Sequence, residues 1–433
     1  MIRSMKKSVG GDFCSGRRLL SKCRGVAAAA VLTAAISAQV YGNGSDGALA
    51  PTSNLILDTT ANGGVFQFTS IHIPAGVTVH LTGPNPATLL CQGAVSVAGR
   101  LDADAPGALW SGNQRLDDPA GGPGGFAGGG SHQNGFGPGG GAWGQGIYPV
   151  ALGASGSHAT AGSTNNPFLS PAPTYGGSLP FDLRGGSGGG GMGTGNMGDY
   201  GPGGSGGGGT VMLFADGPID VSGTVSARGG DQVFGPEFFW SFPPATGGLG
   251  SGGSILLRSL QCLRVSGRIE ATGGRRYYVG ATPVPNGGAG FVRLDSYTGC
   301  GAPDLTGATI QPAPFVAPMP FLTALEPARI GQTYRARCAS APGDVLGFYY
   351  SLGTGNLPLP PFGVLELDTS VLLFFGQHTV PTTGRDPLAA IDIPVPGLAA
   401  LVGITFHAQV FNAFGTVTGQ ARLSNRLDVT IGL

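Results

Sequence analysis

The chain has 433 residues, 83 of them glycine and 34 proline, with 41% apolar residues and a formal charge of zero. So much glycine and proline suggests a fibrous or disordered chain, but disorder goes with few apolar residues and a high net charge, so a buried β core remains affordable. Beyond residue 38 there is no lysine, and 16 arginines face 22 acids for a net charge of −6, which excludes a basic stripe for nucleic acid, a P-loop and Schiff-base chemistry.

Residues 1–25 hold seven basic side chains against one acid, Asp12, and the apolar run VAAAAVLTAAISA follows from Val26 to Ala38. A basic segment, an apolar run too short for a stable membrane anchor, and small residues around Ser37 and Ala38 predict a secretory signal peptide over 1–38 and an extracellular or cell-surface location. Four cysteines lie beyond it, Cys91, Cys262, Cys300 and Cys338, none spaced as CxxC. Two disulfides and four separate thiols are both open, and a bridge between Cys262 and Cys300 is favoured because both fall in the repeat region.

That repeat is GGGGTVMLFADGPIDVSGTVSARGG at 206–230, which aligns without a gap with GSGGSILLRSLQCLRVSGRIEATGG at 250–274; a looser copy lies at 88–106 and fragments at 287–296 and 304–310. Ile219, Val221, Val225 and Ala227, and in the second copy Leu263, Val265, Ile269 and Ala271, alternate with polar residues, which predicts strands with one face inward. The glycine of VSG predicts a corner or bulge. Short strands in a unit of about this length predict one coil of a parallel β-solenoid of the right-handed β-helix kind, with FTSIHIPAGVTVHLTG at 68–83 as an early coil or cap.

Within this region, 39–311, the insert 107–205 is so glycine-rich that a flexible excursion and extended, polyproline-like packing are both open; its aromatics, among them Phe126, Phe136 and Tyr175, favour partial packing. A proline-rich linker is expected over 312–321. From 322 to 433, short alternating runs such as TYRARC, LGFYYSL and LVGITFHAQVF predict an immunoglobulin-like β-sandwich.

The stretches IHIPAGVTVHLTG, GGSILLRS, VSGRIEATGG and GGAGFVRLDS resemble a group of exported, glycine-rich bacterial proteins called PE-PGRS-like for their composition. The ending LVGITFHAQVF with LSNRLDVTIG is similar to a C-terminal module of secreted bacterial proteins of unknown activity. The resemblance implies a surface or extracellular location and supplies no catalytic residue.

Motifs for chemistry are weak. GGSGG at 185–189 and 203–207 fits the nucleophile-elbow pattern around Ser187 and Ser205, but neither follows an apolar strand into a helix. The calcium-binding nonapeptide of β-rolls lacks its aspartate, with Phe126 and Gly252 in its place; Asp102 with Asp104 and Asp117 with Asp118 are looser calcium candidates. Asp102 and Glu270 fall at equivalent repeat positions and form the candidate carboxylate pair for polysaccharide cleavage, with Arg100 and Arg268 as the neighbouring cations. The six histidines have no metal-ligand spacing. The expectation is therefore an exported, non-catalytic structural or adhesive protein with no cofactor, no membrane span after cleavage, polysaccharide or cell-surface partners and scope for self-association. Glycan binding through Tyr349 and Tyr350, or a lyase or hydrolase on the same scaffold, are the alternatives.

Overall fold

The computed structural model describes residues 41–111, 114–115, 120–144, 153–164, 168–177, 183–192, 203–233, 247–277, 284–285, 287–296, 302–324, 326–341, 343–360, 362–381, 388–414 and 422–433. The fold is nearly all-β, with parallel sheets and further antiparallel ones.

The two full repeat copies lie side by side. Thr210–Ala215 pairs in parallel with Ser254–Ser259, Ile219–Val221 with Leu263–Val265, and Thr224–Ser226 with Arg268–Glu270, all at one offset of 44 residues. The looser copy supplies Ala87–Cys91, Val95–Val97 and Arg100–Asp102 on the other side of the first three strands, again at a single offset. Upstream segments add Ala48–Leu49 and Ser70–Ile73 to the sheet of Ile219–Val221, the first sheet, and Leu55–Asp58 and Thr78–Thr82 to that of Thr224–Ser226, the second; Val65–Phe68 joins that of Thr210–Ala215, the third. Downstream, Thr309–Gln311 extends the second sheet, and Phe291–Ser296 and Phe315–Pro318 extend the third. The segment expected as a linker thus contains a strand of the third sheet.

Stacking at constant register turns each inward position into a column, such as Leu55, Val79, Leu101, Val225, Ile269 and Ile310. These columns form one continuous core shared by the three sheets, and each fully buried Leu or Ile contributes about 1.5–3 kcal/mol. Strands of the first sheet alternate as the sequence predicts, Ile219 and Val221 inward with Asp220 exposed. The third-sheet strands Thr210–Ala215 and Ser254–Ser259 are buried at every residue, which is why TVMLFA and SILL read as unbroken apolar runs. The VSG glycine needs a different reason from the one expected. Gly223 and Gly267 take no left-handed φ; a Cβ on Gly223 would collide with the carbonyl of Gly99, and one on Gly267 with that of Gly223. Close stacking of successive corners, rather than backbone conformation, excludes a side chain there.

Glycine explains the insert as well. The segment Gly186–Gly191 hydrogen-bonds to a different neighbour at each step and returns to the same neighbour after three residues. Gly186 N–H donates to Gly208 O at 2.8 Å and Gly189 N–H to Ser205 O at 2.9 Å; Ser187 O accepts from Ser251 N–H and Gly190 O from Gly248 N–H; Gly188 O accepts from Gly141 N–H and Gly191 O from Gly144 N–H. A period of three with no bonds inside the segment is the geometry of a polyproline-II-type helix. The described parts of the insert therefore pack as a hydrogen-bonded bundle of such segments, together with the glycine runs that lead into the third-sheet strands at 203–209, 247–253 and 287–290. Only glycine allows this spacing. A Cβ on Gly188 would strike the Ala127 carbonyl, and one on Gly250 the Gly206 carbonyl. With almost no side chain to bury, the bundle rests on hydrogen bonds between its segments at about 1 kcal/mol each.

His158 is the one histidine placed deep in this bundle. Its ring lies at 4.6 Å from Tyr175, stacked, and at 5.0 Å from Phe291, edge-on; Nδ1 donates to Gly252 O at 2.8 Å. Burial holds its pKa down at about 4. The unfolded chain therefore takes up a proton near pH 6.5 that the folded chain refuses until about pH 4, so stability is complete above pH 6.5 and falls as the pH drops through this window, by about 3 kcal/mol. Urea melts at pH 7 and pH 4 should show that loss in the wild type and a shallower one in His158→Phe, although that variant starts lower at pH 7 for want of the Gly252 bond.

Beyond the parallel sheets, Phe321–Ala324, Thr333–Ala339 and Leu388–Pro394 form an antiparallel sheet; Leu373–Thr379, Val345–Ser351, Thr405–Phe414 and Arg422–Leu423 form a second, to which Leu427–Thr430 is added through Thr405–Phe414. The two share one core, Tyr334, Ala336, Cys338 and Ile391 from one and Leu346, Phe348, Tyr350 and Val410 from the other. A third cluster joins residues from both regions: Phe214 and Leu256 on the outer side of the third parallel sheet pack with Tyr41, Met319 and Ala341. Inside it, Asp295 is wholly buried with two arginines. Its Oδ2 accepts from Arg258 Nε at 3.0 Å and Nη2 at 2.9 Å, and its Oδ1 from Arg293 Nε at 2.8 Å. The guanidiniums lie over Phe214, Phe315 and Phe321 at 5.3, 5.0 and 5.1 Å.

Candidate functional site

Two places gather chemistry-bearing side chains. The first is the outer face of the second parallel sheet, where the register sets His80, Asp102, Ser226, Glu270 and Gln311 in one row. The sequence-derived pair is thus on one face, but Ser226 stands between the two strands, which puts Asp102 and Glu270 about 10 Å apart by strand spacing. Each carboxylate is already engaged. Asp102 bonds Arg100 Nη2 at 3.3 Å and His80 Nδ1 at 3.1 Å and accepts from Ser226 Oγ at 3.2 Å; Glu270 takes Arg268 Nη1 at 2.8 Å. The arginines named as neighbouring cations are therefore direct partners.

Asp104 adds a feature absent from the sequence reading. It accepts from Arg100 Nη2 at 2.6 Å and from the backbone N–H of Arg228 at 2.6 Å in the next copy. Burial, with the charge of Asp102 beside it, raises its pKa to about 6. Asp231 repeats the device one copy further on, accepting from Arg275 N–H at 2.7 Å, so these aspartates pin successive repeats together. Asp102 and Asp104 turn to Arg100, not to a shared cation position, and Asp117 and Asp118 lie outside the described residues. Among the described residues no three His, Cys, Asp or Glu side chains gather as metal ligands.

Ser187 and Ser205, the elbow matches, are both fully buried within the glycine bundle. Ser187 Oγ donates to Tyr175 Oη at 2.9 Å and accepts from Gly139 N–H at 3.1 Å, so it ties bundle segments together. Cys262 is disulfide-bonded, Cys300 lies outside the described residues, and Cys91 and Cys338 are free and buried. No helix among the described residues is long and apolar enough to cross a membrane.

The second place is the end strand Leu373–Thr379 of the larger antiparallel sheet. It exposes three large apolar side chains in succession, Leu373 at 63%, Phe374 at 59% and Phe375 at 46%. Of the tyrosines considered as a platform, Tyr350 belongs to the core, only 6% exposed, and Tyr349 is half-buried with its ring 5.3 Å from Phe374. Phe374 and Phe375 carry the exposed aromatic surface instead. The run VLLFFG conceals them, because contiguous apolar residues read as a buried strand; its failure to alternate beside the alternating LGFYYS was the only available signal. Next to Phe375 is a depression of about 410 Å³ lined by Arg335, Phe375, His378, Ala390, Ile391 and Asp392. Arg335 Nε and Nη2 donate to the two oxygens of Asp392 at 2.5 and 2.7 Å, and this bond keeps the Asp392 carboxyl below its usual range.

No family model matches the chain, no curated protein matches its sequence, and no solved structure matches its fold.

Proposed function

We propose that the chain is an exported, non-catalytic protein of the cell surface or extracellular matrix with a structural and adhesive role. In this reading the three parallel sheets that share the core are the faces of a β-solenoid, the glycine bundle stiffens it from one side, and the C-terminal sheets form an immunoglobulin-like β-sandwich that presents the adhesive surface. The observation that carries it is the exposed aromatic strand Leu373–Thr379: an apolar surface of this kind marks a place of contact with something outside the chain. The basic and apolar start of the sequence supports export.

The carbohydrate-active alternative rests on the carboxylate row, and the arginine partners of Asp102 and Glu270 make both read as structural ion pairs. Co-sedimentation of the purified protein with insoluble polysaccharides and bacterial cell walls, with a parallel assay for released reducing ends, tests the two readings together. Binding without release is expected. Release that is abolished by Asp102→Asn or Glu270→Gln would replace the adhesive reading with the enzymatic one, and recovery of the native protein only from the cytoplasm would end both.

A further inference from the structure

We propose that the depression between Phe375 and the Arg335–Asp392 pair is a binding site for a neutral pyranose unit of a polysaccharide. This rests on the adhesive reading and names its ligand.

A pyranose ring offers two recognisable features, an apolar face of C–H bonds and a rim of vicinal hydroxyls. The first packs on an aromatic ring, and the second is met by planar side chains with paired donors or acceptors. Both are present within one small concavity. Phe375 is nearly half exposed yet not loose, because Tyr350 meets its ring edge-on at 5.5 Å. Tyr350 is itself buried in the sandwich core, so Phe375 cannot turn inward without displacing it. His378, also in the lining, is held edge-on by buried Phe348 at 5.8 Å. The aromatic floor is therefore pre-positioned, which lowers the ordering cost of binding.

The polar rim is equally fixed. Arg335 and Asp392 hold each other through two bonds while remaining 55% and 48% exposed. Asp392 keeps lone pairs, and Arg335 its Nη1 donors, for groups approaching from solvent. These two cancel in charge; of the other groups acting on the pair, Arg337 and Glu326 oppose each other and His378 adds charge only as an imidazolium, so with a neutral imidazole the site carries no net charge. A uronate carboxylate drawn to the open Nη1 of Arg335 would meet the Asp392 carboxylate beside it, and like charges at that distance oppose binding, whereas uncharged hydroxyls can add to the pair as it stands. The chemistry therefore selects a neutral sugar. The volume of about 410 Å³ falls within the usual range for small-molecule sites. Leu373–Thr379 and Leu388–Pro394, which border the depression, are both end strands of their sheets, so a polymer can run past without meeting a further strand.

The test is affinity electrophoresis of the purified protein through gels containing a soluble cellulose ether, a mannan or a xylan, with polygalacturonate as the anionic control. At least one neutral polymer should retard the wild type. Phe375→Ala should lose at least tenfold in apparent affinity and Arg335→Gln several-fold, with polygalacturonate inert toward all three. Arg335→Gln alters only an exposed pair, so it probes the site even if Phe375→Ala folds poorly. Retardation by a neutral polymer that both variants retain, or retardation by polygalacturonate alone, overturns the site. Attachment of wild type and variants alike to cell walls, with no neutral polymer bound, would overturn the site and leave the adhesive reading standing; attachment to nothing would overturn both.

Discussion

Replacing Asp295 by asparagine is expected to destabilise the protein by about 3–5 kcal/mol, because removal of one partner from a buried ion pair leaves uncompensated charge in the interior. Arg258 and Arg293, both fully buried, would each exchange a carboxylate for a neutral amide. The three aromatic rings over the guanidiniums offset only a part of this, since each such contact contributes about 0.5–2 kcal/mol and is already present in the wild type. Urea denaturation should show the midpoint moving sharply down. A loss below about 1 kcal/mol would mean that water or a rearranged partner reaches the cluster. Because Met319 and Ala341 belong to the same cluster, the variant should also loosen the junction between the parallel and antiparallel sheets, seen as cleavage near residue 320 under limited proteolysis.

Replacing Gly188 by alanine is the second large effect. The added methyl would occupy the position of the Ala127 carbonyl and crowd Gly128 Cα, and backbone, unlike a flexible side chain, has no alternative rotamer to adopt. The segment must move, and the bonds from Gly188 N–H to Phe136 O and from Gly141 N–H to Gly188 O lengthen with it. A loss of about 3 kcal/mol or more follows from overpacking combined with lost hydrogen bonds. Gly107→Ala is the control: its Cβ would meet only Asp231 O, at 3.7 Å, and its stability should change by less than about 1 kcal/mol. Equal effects at the two positions would contradict close packing around Gly188.

The contrast between these glycines shows where the sequence was readable. The offset between the repeat copies was legible, because inward Val, Ile and Leu repeat with period two and fix the register through the side of the sheet they must occupy. The shared row of Asp102, Ser226 and Glu270 followed from that alignment alone. Whether those carboxylates were open to a substrate did not follow, since Arg100 and Arg268 sit two residues away along the same strands, and only the pleat brings each onto the face of its acid. The glycine bundle was legible only as one of two open readings of the insert, for a different reason. Order in it is carried by main-chain bonds and by the absence of Cβ atoms, and neither leaves a hydrophobic period to detect. Phe374 and Phe375 were hidden by their neighbours, because Leu372 and Leu373 make the run resemble the buried TVMLF strand.

The glycine-rich segments form an ordered, hydrogen-bonded layer of the fold. Amide hydrogen exchange over 185–191 and 203–209, followed by mass spectrometry on the purified protein, tests it most directly. Protection comparable to that of the core strands Thr210–Ala215 and Ser254–Ser259 is the predicted result, with loss of protection in both glycine segments on Gly188→Ala. Complete exchange of these amides within seconds, while the strands stay protected, would contradict the bundle and return the insert to a flexible excursion.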